Sequence, residues 1–514
     1  MTRRLWVVRL FAVLVAGLIM PWSASAQAVL AVTPTSLSLV AYAGTNVPSQ
    51  VVNISNAGTG RGALKWSIST PTASWLAVSP TTGVNHGTVT MSFPSAFATP
   101  GTYAASYDVR TTTSAVTVTV LATILAPVSL PSTQVGPQSS VSCPPNAVPI
   151  IPGQDLPSLV DVYPTGTSFC VQAGIHYPTS PINLKANDKL VGEYGAVIDG
   201  RNVVQSYDVG STAIVRGWNC ASDCSGVLVQ NLVIRNLAAY NCVGIYSSSL
   251  TTPSNNWTVD HNEVYGCRSG IAVGNELGAQ ITYNHVHNNA CGVGGYRERN
   301  TTWDHNDISG TSLAACKWAD NYAAGYQSNL YVTYNYIHDF APGTAAIWFD
   351  TEGCGNLITG NTIMGASEWP AIDIEATTCT EIAGNTVTLP ADGSATGVFI
   401  TNSQNTNAHD NVLQAPAGGG VTVFWDGVWS TFPVASNYIH SNTFVLGGDS
   451  QLVGYQCSTV SALSCANVMT INRNLYDYNS YQVQNVLGGY WSDAGSGLEW
   501  SQWQSVGQDL HGQQ

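Results

Sequence analysis

One pattern of hydrophobic and polar positions recurs along the chain from Asn236 onward. An aliphatic or aromatic residue is followed by two variable residues, an asparagine, one variable residue and, in most copies, a second aliphatic or aromatic residue. Residues 259–264 and 281–286 are two such copies, and successive marker asparagines are 22 to 32 residues apart. The marker asparagines are Asn236, Asn262, Asn284, Asn306, Asn335, Asn361, Asn385, Asn411, Asn442 and Asn474.

A repeat of this length predicts a coil of three short strands and three turns, because a period of 22 residues leaves no room for a helical stripe. One coil cannot bury its apolar side chains alone, whereas stacked coils bury them jointly and share backbone hydrogen bonds along the axis. Asparagine suits the turns because it tolerates the left-handed region and can form a hydrogen-bonded ladder with its neighbours. A leucine-rich solenoid is the alternative, and the missing consensus leucines disfavour it.

The N-terminal part of the chain has a different pattern. Over residues 30–126, apolar and polar residues alternate in short runs broken by glycine and proline turns, which predicts an antiparallel β-sandwich. Its landmarks are Thr33-Pro34-Thr35-Ser36-Leu37, Asn56-Ala57-Gly58, Trp66, Trp75-Leu76-Ala77-Val78-Ser79-Pro80 with Gly83, and Pro100-Gly101-Thr102-Tyr103. Together they resemble the BACON family of Ig-like modules across nearly the whole segment. The resemblance implies an accessory role beside a carbohydrate-active enzyme, and a plain spacer is the alternative.

The ends and the middle of the chain complete the predicted organisation. Arg3, Arg4 and Arg9, an apolar run over 10–20 and small residues up to Ala26 are typical of a signal peptide, so we expect a secreted or periplasmic protein. No later stretch has the roughly 20 apolar residues that a membrane span requires. The predicted segments are a signal peptide at 1–26, the sandwich at 27–126, a proline-rich linker at 127–154, the β-helix at 155–489 and a C-terminal cap at 490–514.

The repeat resembles the right-handed parallel β-helix of the pectin-lyase-like superfamily over residues 140–514. The stretch from Lys317-Trp318 to Asp339, followed by Ile347-Trp348-Phe349-Asp350, is similar to a signature of bacterial β-helix proteins of ill-defined activity. Residues 500–511 are similar to the segment that caps the open end of such solenoids. The expected fold class is therefore all-β, with a β-sandwich followed by a right-handed parallel β-helix. The resemblance implies that the solenoid handles polysaccharides at its surface.

The strand that follows each marker asparagine predicts a row of functional groups. Alternation within 346–350 and 371–375 places every second residue on the outer face of the solenoid. The neighbours that this predicts are Trp348 with Asp373, and Asp350 with Glu375, with Lys317 in the same row one coil earlier. The candidate catalytic residues are Lys317, Asp350, Asp373 and Glu375.

Acids on neighbouring coils repel each other, so their clustering needs a cause, and three interpretations are open. Two carboxylates about 5 to 9.5 Å apart could serve as the general acid and the base or nucleophile of glycoside hydrolysis. They could instead bind Ca²⁺, which prefers carboxylate oxygens, and leave Lys317 or an arginine as the base of a lyase. They could also be solvated outward positions of an acidic protein. No other metal site is predicted.

Arginines and aromatic residues near this row are the predicted substrate-binding residues: Arg297, Arg299, Trp348 and Trp425. The tryptophans belong to a set that could stack on sugar rings or, alternatively, cover loops and fill the core. The set is Tyr296, Trp318, Trp348, Trp369, Phe399 and Trp425. Four histidines beside the asparagine turns are expected to stack or donate hydrogen bonds rather than to catalyse. They are His285, His287, His338 and His440.

Charge narrows the class of partner. Removal of the signal peptide takes three arginines and no acids from a chain with 16 basic and 30 acidic residues, which leaves 13 basic residues and a net charge of −17. The excess lies outside 27–127, which holds only Asp108 against three basic residues. Such a field repels nucleic acid. It favours a neutral polysaccharide, or an acidic one bridged by calcium.

All 12 cysteines lie between Cys143 and Cys465 of a chain predicted to be exported, which favours disulfides. Equivalent residues of adjacent coils lie about 4.8 Å apart, so a separation of 25 residues indicates neighbouring coils. The predicted pairs are Cys143–Cys170, Cys220–Cys224, Cys242–Cys267, Cys291–Cys316, Cys354–Cys379 and Cys457–Cys465. Cys267 with Cys291 is an alternative pairing.

The sequence therefore predicts a secreted carbohydrate-active protein, either a polysaccharide lyase or a glycoside hydrolase with its groove on the β-helix surface. A non-catalytic glycan-binding or structural surface protein is the alternative, because this architecture hosts several functions.

Overall fold

The structure is a computed structural model. It describes residues 28–42, 49–58, 62–93, 97, 99, 101–125, 134–204, 212–217, 224–246, 254–312, 316, 319–320, 328–340, 343, 345–365, 369–390, 395–426, 434–447, 453–457, 473–483, 491–493 and 496–514. The predicted signal peptide and Lys317, Cys220 and Cys465 lie outside the described residues. Within them, no helix combines the length and the apolar character that crossing a membrane requires.

The N-terminal unit is a β-sandwich of two sheets whose alternating residues are buried between them. Trp66 is buried in it, and Gly83 lies so close that a Cβ atom there would come within 2.0 Å of the indole ring. The strands of one sheet are, in spatial order, Leu30–Thr33, Gln50–Asn56, Gly87–Ser92 and Ala77–Ser79. Those of the other are Ser36–Tyr42, Ala115–Leu125, Gly101–Arg110, Lys65–Ile68 and Thr82–Val84.

The C-terminal unit is a right-handed parallel β-helix with three faces, as the sequence predicts. Its first sheet has 13 described strands and its second has 12, and neighbouring strands in each are parallel and one coil apart. The first sheet consists of Val148–Ile150, Ser168–Val171, Lys189–Gly192, Leu228–Gln230, Thr258–Asp260, Gln280–Thr282, Thr302–Asp304, Tyr331–Thr333, Asn356–Thr359, Thr380–Ala383, Asn407–His409, Tyr438–His440 and Leu475–Asp477. The second consists of Gly174–His176, Ala196–Asp199, Val233–Leu237, Glu263–Cys267, His285–His287, Asp307–Ser309, Tyr336–His338, Thr362–Met364, Thr386–Thr388, Val412–Ala415, Thr443–Leu446 and Ser480–Val483.

The third sheet has two parts that follow one another along the solenoid. The five strands of the first part are Ile182–Asn183, Ala213–Arg216, Asn241–Tyr246, Ser269–Gly274 and Cys291–Tyr296. The eight of the second are Ala319–Asp320, Ile347–Asp350, Ile372–Glu375, Thr396–Thr401, Gly419–Trp425, Val453–Cys457, Trp491–Asp493 and Ser496–Leu498. Among the described residues, the remaining elements are the strand pair Ser254–Asn255 and Glu276–Leu277, the 3₁₀ turn Gly200–Asn202, and two helices, α1 (Leu156–Val162) and α2 (Trp500–Ser505).

The coils begin before residue 155, where the predicted β-helix segment starts. Val148–Ile150 already pairs in parallel with Ser168–Val171, although it lies in the segment predicted to be a linker. Pro149 is tolerated there because this strand forms the edge of the first sheet, where one side needs no ladder hydrogen bonds. Upstream, the Gly136 amide donates to the Tyr283 carbonyl at 2.9 Å.

The core of the solenoid is built from inward residues that stack in register. In the first sheet, one such column is almost fully buried, and its members are β-branched or aromatic in most coils, which suits a pleated surface covered on one side. The column is Val259, Ile281, Trp303, Val332, Ile358, Ile382, Ala408, Ile439 and Tyr476.

A column of buried asparagines marks the corner between the first and second sheets, as the repeat predicts. The Asn262 side chain and backbone amides both donate to Asn284 Oδ1, at 3.0 and 2.9 Å, and every later member repeats this arrangement. The last member donates to Asp509 Oδ1 at 2.9 Å. We call this set the asparagine column: Asn262, Asn284, Asn306, Asn335, Asn361, Asn385, Asn411, Asn442 and Asn479.

Two marker asparagines lie elsewhere, and the assignment of both is wrong. Asn236 is four residues past the corner, and its side chain donates to Asp199 instead. Asn474 belongs to a second ladder at the corner between the third and first sheets, where it accepts a hydrogen bond from Asn437 at 2.9 Å. The reason given for asparagine also needs correction, because the residue before each column member, for example Tyr283 or Tyr334, has the positive φ. The asparagine itself is selected for its hydrogen bonds.

Four of the predicted disulfides are confirmed: Cys143–Cys170, Cys242–Cys267, Cys291–Cys316 and Cys354–Cys379. Their Cα atoms are 4.5 to 5.6 Å apart, the spacing of adjacent coils. The alternative pairing of Cys267 with Cys291 is therefore wrong. Cys224 and Cys457 are also disulfide-bonded.

The last residues contact the final coil. Trp491–Asp493 adds one more parallel strand beside Val453–Cys457, and the chain then turns back as Ser496–Leu498 and enters α2. Asp509 accepts hydrogen bonds from Asn479, Tyr481 and Trp503, so its carboxylate occupies the place that the next asparagine would take. These contacts satisfy polar groups that an open end would leave unpaired.

Candidate functional site on the outer face of the third sheet

The third sheet brings the predicted acids together in the expected register. Ile347 and Phe349 face the core, and Trp348 pairs with Asp373 while Asp350 pairs with Glu375 across adjacent coils. The outward residues are nevertheless shielded, since Trp348, Asp350 and Asp373 are less than 10% exposed and Glu375 is half-buried. The electrostatic interaction between two shielded carboxylates is stronger than that between two solvated ones, because the local dielectric constant is lower.

Aromatic rings flank the acids on both sides along the solenoid axis. Trp348 lies against Trp369 with ring centroids 5.1 Å apart, and Trp369 is partly exposed. On the other side, Asp373 pairs with Phe399, whose ring stacks on Phe424 at 5.3 Å. We call the outer face bounded by these rings the acid groove: Trp348, Asp350, Trp369, Asp373, Glu375, Phe399 and Phe424.

Sequence reasoning missed two members of this region. Phe424 was not predicted, although the neighbouring Trp425 was. Asp320 occupies the register position next to Asp350 one coil earlier. Lys317, the predicted first member of the row, lies outside the described residues.

The predicted substrate-binding residues are spread along the solenoid. Trp348 is in the acid groove, whereas Trp425 is two coils beyond Glu375 and packs partly against the core. Arg297 and Arg299 are half-buried and follow a strand two coils before Asp350, about 10 Å along the axis. Arg297 lies over the Tyr296 ring, 4.9 Å from its centroid.

A second acidic group, this time inside the solenoid, was not predicted. Glu276, Glu298 and Glu352 are at most 2% exposed and occupy one position at the corner between the third and first sheets. We call them the glutamate column. Burial raises the pKa of Glu276 to about 9, and burial together with Glu352 raises the pKa of Glu298 well above its ordinary value. Glu276 is therefore a neutral acid at neutral pH. Glu298 accepts a hydrogen bond from Trp303 Nε1 at 3.4 Å.

The predicted stacking of the histidines is present. His285 stacks on His287 at 4.2 Å, Tyr336 on His338 at 4.3 Å and Tyr438 on His440 at 4.1 Å. Each pair consists of outward residues two apart in one strand, so the rings lie side by side.

On the second sheet, two of these histidines meet an acid in a group that sequence reasoning missed. The nearest ligand atoms of Glu263, His285 and His287 all lie within 4.8 Å of one another, and this is the one such group of three among the described residues. Burial and His287 lower the pKa of His285, and a hydrogen bond from His287 lowers the pKa of Glu263. The signal was available, since Glu263 and His285 are one 22-residue period apart.

Comparisons with solved structures return several chains at low sequence identity. The A-module of mannuronan C-5 epimerase AlgE6 from Azotobacter vinelandii is 12% identical over 60% of this chain and 91% of its own, with a TM-score of 0.44. A mutant DFA-IIIase from Arthrobacter chlorophenolicus A6 is 11% identical over 63% and 90%, with a TM-score of 0.40. The catalytic unit of a GH87 α-1,3-glucanase from Streptomyces thermodiastaticus strain HF3-3 is 13% identical over 88% and 89%, with a TM-score of 0.30.

No curated protein matches this chain. Residues 250–444 match the family model described as the right-handed β-helix region, so the stretch that carries the acid groove and most of the asparagine column has the sequence character of that family.

Proposed function

We propose that this protein is a secreted carbohydrate-active enzyme that cleaves a polysaccharide in the acid groove. The observation that carries the proposal is the register of the third sheet, which places Asp350 beside Glu375 and Trp348 beside Asp373 on its outer face. Acids flanked by aromatic rings offer both catalytic groups and stacking surfaces for sugars.

The spacing of the acids suits glycoside hydrolysis. Strands about 4.8 Å apart with a rise of about 3.3 Å per residue put Asp350 and Glu375 about 5 Å apart at the backbone, and Asp350 and Asp373 about 8 Å apart. Carboxyl groups at the shorter spacing would suit a nucleophile with its acid, and carboxyl groups at the longer spacing would leave room for a water molecule. A lyase reaction is the second chemistry, with Ca²⁺ on the acids and Lys317 as the base.

Charge favours a neutral polysaccharide as the substrate. The acids of the groove would repel a uronic-acid polymer unless Ca²⁺ bridged the two. The disulfides suit an oxidising compartment outside the cytoplasm, where polysaccharides are met. The N-terminal sandwich, which we propose to be BACON-like, would be an accessory module.

A glycan panel tests the proposal. The purified protein is incubated with neutral and acidic polysaccharides, with and without Ca²⁺, while reducing ends and the absorbance of unsaturated uronates are followed. A neutral glycan should release reducing ends without unsaturated product, and Asp350→Asn and Glu375→Gln should each lower the rate at least about a hundredfold, because each removes a proton-transfer group or nucleophile. Unsaturated product that is lost in Lys317→Ala would assign the lyase chemistry instead.

Glu381→Gln is the matched control, since Glu381 is an exposed acid of the first sheet on the coil that follows Glu375. Its rate should equal that of the unmodified protein. Turnover of no glycan, together with unchanged glycan binding in Asp350→Asn and Glu375→Gln, would refute the proposal. Binding that is weakened in Trp348→Ala without any turnover would favour a non-catalytic glycan-binding protein.

A further inference from the structure

We propose that Glu263, His285 and His287 form a binding site for one divalent transition-metal ion, such as Zn²⁺, on the outer face of the second sheet. This site is on a different face from the acid groove, so the proposal does not depend on the proposed function. Two imidazoles and one carboxylate are a ligand set that zinc accepts with a fourth position open to water.

The register of two neighbouring coils builds the site. Glu263 pairs with His285 and Tyr265 with His287, while Val286 between the histidines is buried. Both imidazoles and the carboxylate are therefore on the outer face. His287 Nε2 lies 3.1 Å from Glu263 Oε1, and the two imidazole centroids are 4.2 Å apart.

The distances fit an ion after small side-chain rotations. Ligand atoms about 2.0 to 2.1 Å from a tetrahedral zinc ion lie about 3.3 Å from each other. The pair Glu263–His287 already has this spacing, and every pair in the group is within 4.8 Å. Within the described part of the chain, neither ring nitrogen of His285 has a hydrogen-bond partner, so its binding to a metal would break no existing bond.

The surroundings favour a cation. Asp307 pairs with His285 on the side opposite Glu263, so the imidazole lies between two acids, and Asp307 in turn accepts a hydrogen bond from His338 at 3.0 Å. Tyr265 stacks on His287 at 4.8 Å and fixes the plane of its ring. Ligands whose orientation is already fixed lose less entropy on binding.

The kind of ion follows from the donors. Imidazole nitrogen is the ligand that zinc, copper and nickel prefer, whereas Ca²⁺ takes six or more oxygen atoms. The site offers two nitrogens and one carboxylate. It should therefore bind Zn²⁺ and should not respond to Ca²⁺.

Metal binding by tag-free protein tests this proposal. After treatment with a chelator, the protein is dialysed against Zn²⁺ and its metal content measured, and Zn²⁺ and Ca²⁺ titrations are followed by calorimetry. Close to one Zn²⁺ per chain is expected, with no heat from Ca²⁺ at this site. His285→Gln and His287→Gln should each weaken Zn²⁺ binding at least tenfold, and Co²⁺ should give a visible absorption band that both variants lose.

His440→Gln is the matched control, because His440 also stacks on an aromatic residue two positions away and faces another histidine, His409, on the adjacent coil. Its Zn²⁺ affinity should be unchanged. Circular dichroism and thermal melting without metal would verify that each variant is folded, and Glu263→Gln provides a third variant that leaves both imidazoles in place. Less than a tenth of a zinc ion per chain, or equal affinity in the double variant His285→Gln/His287→Gln, would overturn the proposal.

Discussion

The asparagine column and the glutamate column answer the same packing requirement with different chemistry. Each places polar side chains at one corner of several coils, out of contact with water. An amide both donates and accepts, so Asn335 can donate to Asn361 and accept from Asn306 at any pH. A carboxyl group can do both only while it is protonated.

The contrast shows which part of the solenoid is sensitive to pH. The asparagine column continues through the coils from Asn262 to Asn479 and ends on a carboxylate with three donors, Asp509. In the glutamate column, Glu276 and Glu298 lie on adjacent coils. Burial and the charge of Glu298 raise the pKa of Glu276, and burial and the charge of Glu352 raise the pKa of Glu298. The corner between the third and first sheets should therefore be the less stable corner in alkaline solution.

A substitution within the asparagine column should have the largest effect on the free energy of unfolding. Asn361→Ala removes the acceptor of two Asn335 amides and the donor to the Val332 carbonyl. Buried groups left without partners cost about 1 to 3 kcal/mol each, so the free energy of unfolding should fall by about 3 kcal/mol or more. Urea denaturation followed by circular dichroism would measure the change.

The control for this variant is Gln280→Ala, which removes an exposed amide from a strand of the first sheet. Its effect should stay below about 0.5 kcal/mol. If the two variants lose similar stability, the asparagine column does not stabilise the coils.

A substitution within the glutamate column should have an intermediate effect on stability, and this effect should depend on pH. Burial raises the pKa of Glu276 to about 9, so the folded protein keeps a proton that the unfolded chain releases near its ordinary pKa of 4.5. The stabilisation is complete below that pH and is lost progressively up to about pH 9, with a slope of about 1.4 kcal/mol per pH unit for this carboxyl group. Glu276→Gln removes the slope, so the variant should be more stable than the unmodified protein at pH 8.

Melting temperatures between pH 5 and pH 9 would test this expectation, with Glu298→Gln expected to act in the same direction. Glu381→Gln is the control, because Glu381 is exposed and its replacement should leave the dependence on pH unchanged. If the melting temperatures of Glu276→Gln and of the unmodified protein change with pH in parallel, Glu276 is not neutral in the folded protein.

The sequence predicts the coils well because the ladder repeats one chemical group at one point of each coil. It also predicts the pairing of Asp350 with Glu375, since alternation within two buried strands leaves one register. It fails at Asn474, because the true column member, Asn479, is likewise followed two residues later by a tyrosine. Spacing alone cannot separate two asparagine ladders at different corners.

The missed groups lie where alternation gives no guidance. Glu276 and Glu298 lie at a corner between sheets, where burial depends on how the next coil closes. The chain has 30 acidic residues, so two glutamates among them do not indicate a buried group. The group of Glu263, His285 and His287 depends on the exact coil length. Aligning residues 22 positions apart would have found it. A fixed offset of 22 residues fails for the neighbouring coils that have other lengths, so the match does not stand out in the sequence.

The substitution with the smallest expected effect on stability tests why asparagine occupies its column. The structure gives the left-handed conformation to the residue before the asparagine, and Gly384, with φ of 63°, precedes Asn385. A Cβ atom at Gly384 would meet nothing within 4 Å, so Gly384→Ala changes only the backbone preference. The cost should be about 1 kcal/mol, and Gly384→Asn should cost less because asparagine tolerates this region. If Gly384 had an ordinary conformation, alanine would instead stabilise the fold by restricting the unfolded chain, so the sign of the change in urea midpoint decides between the two explanations.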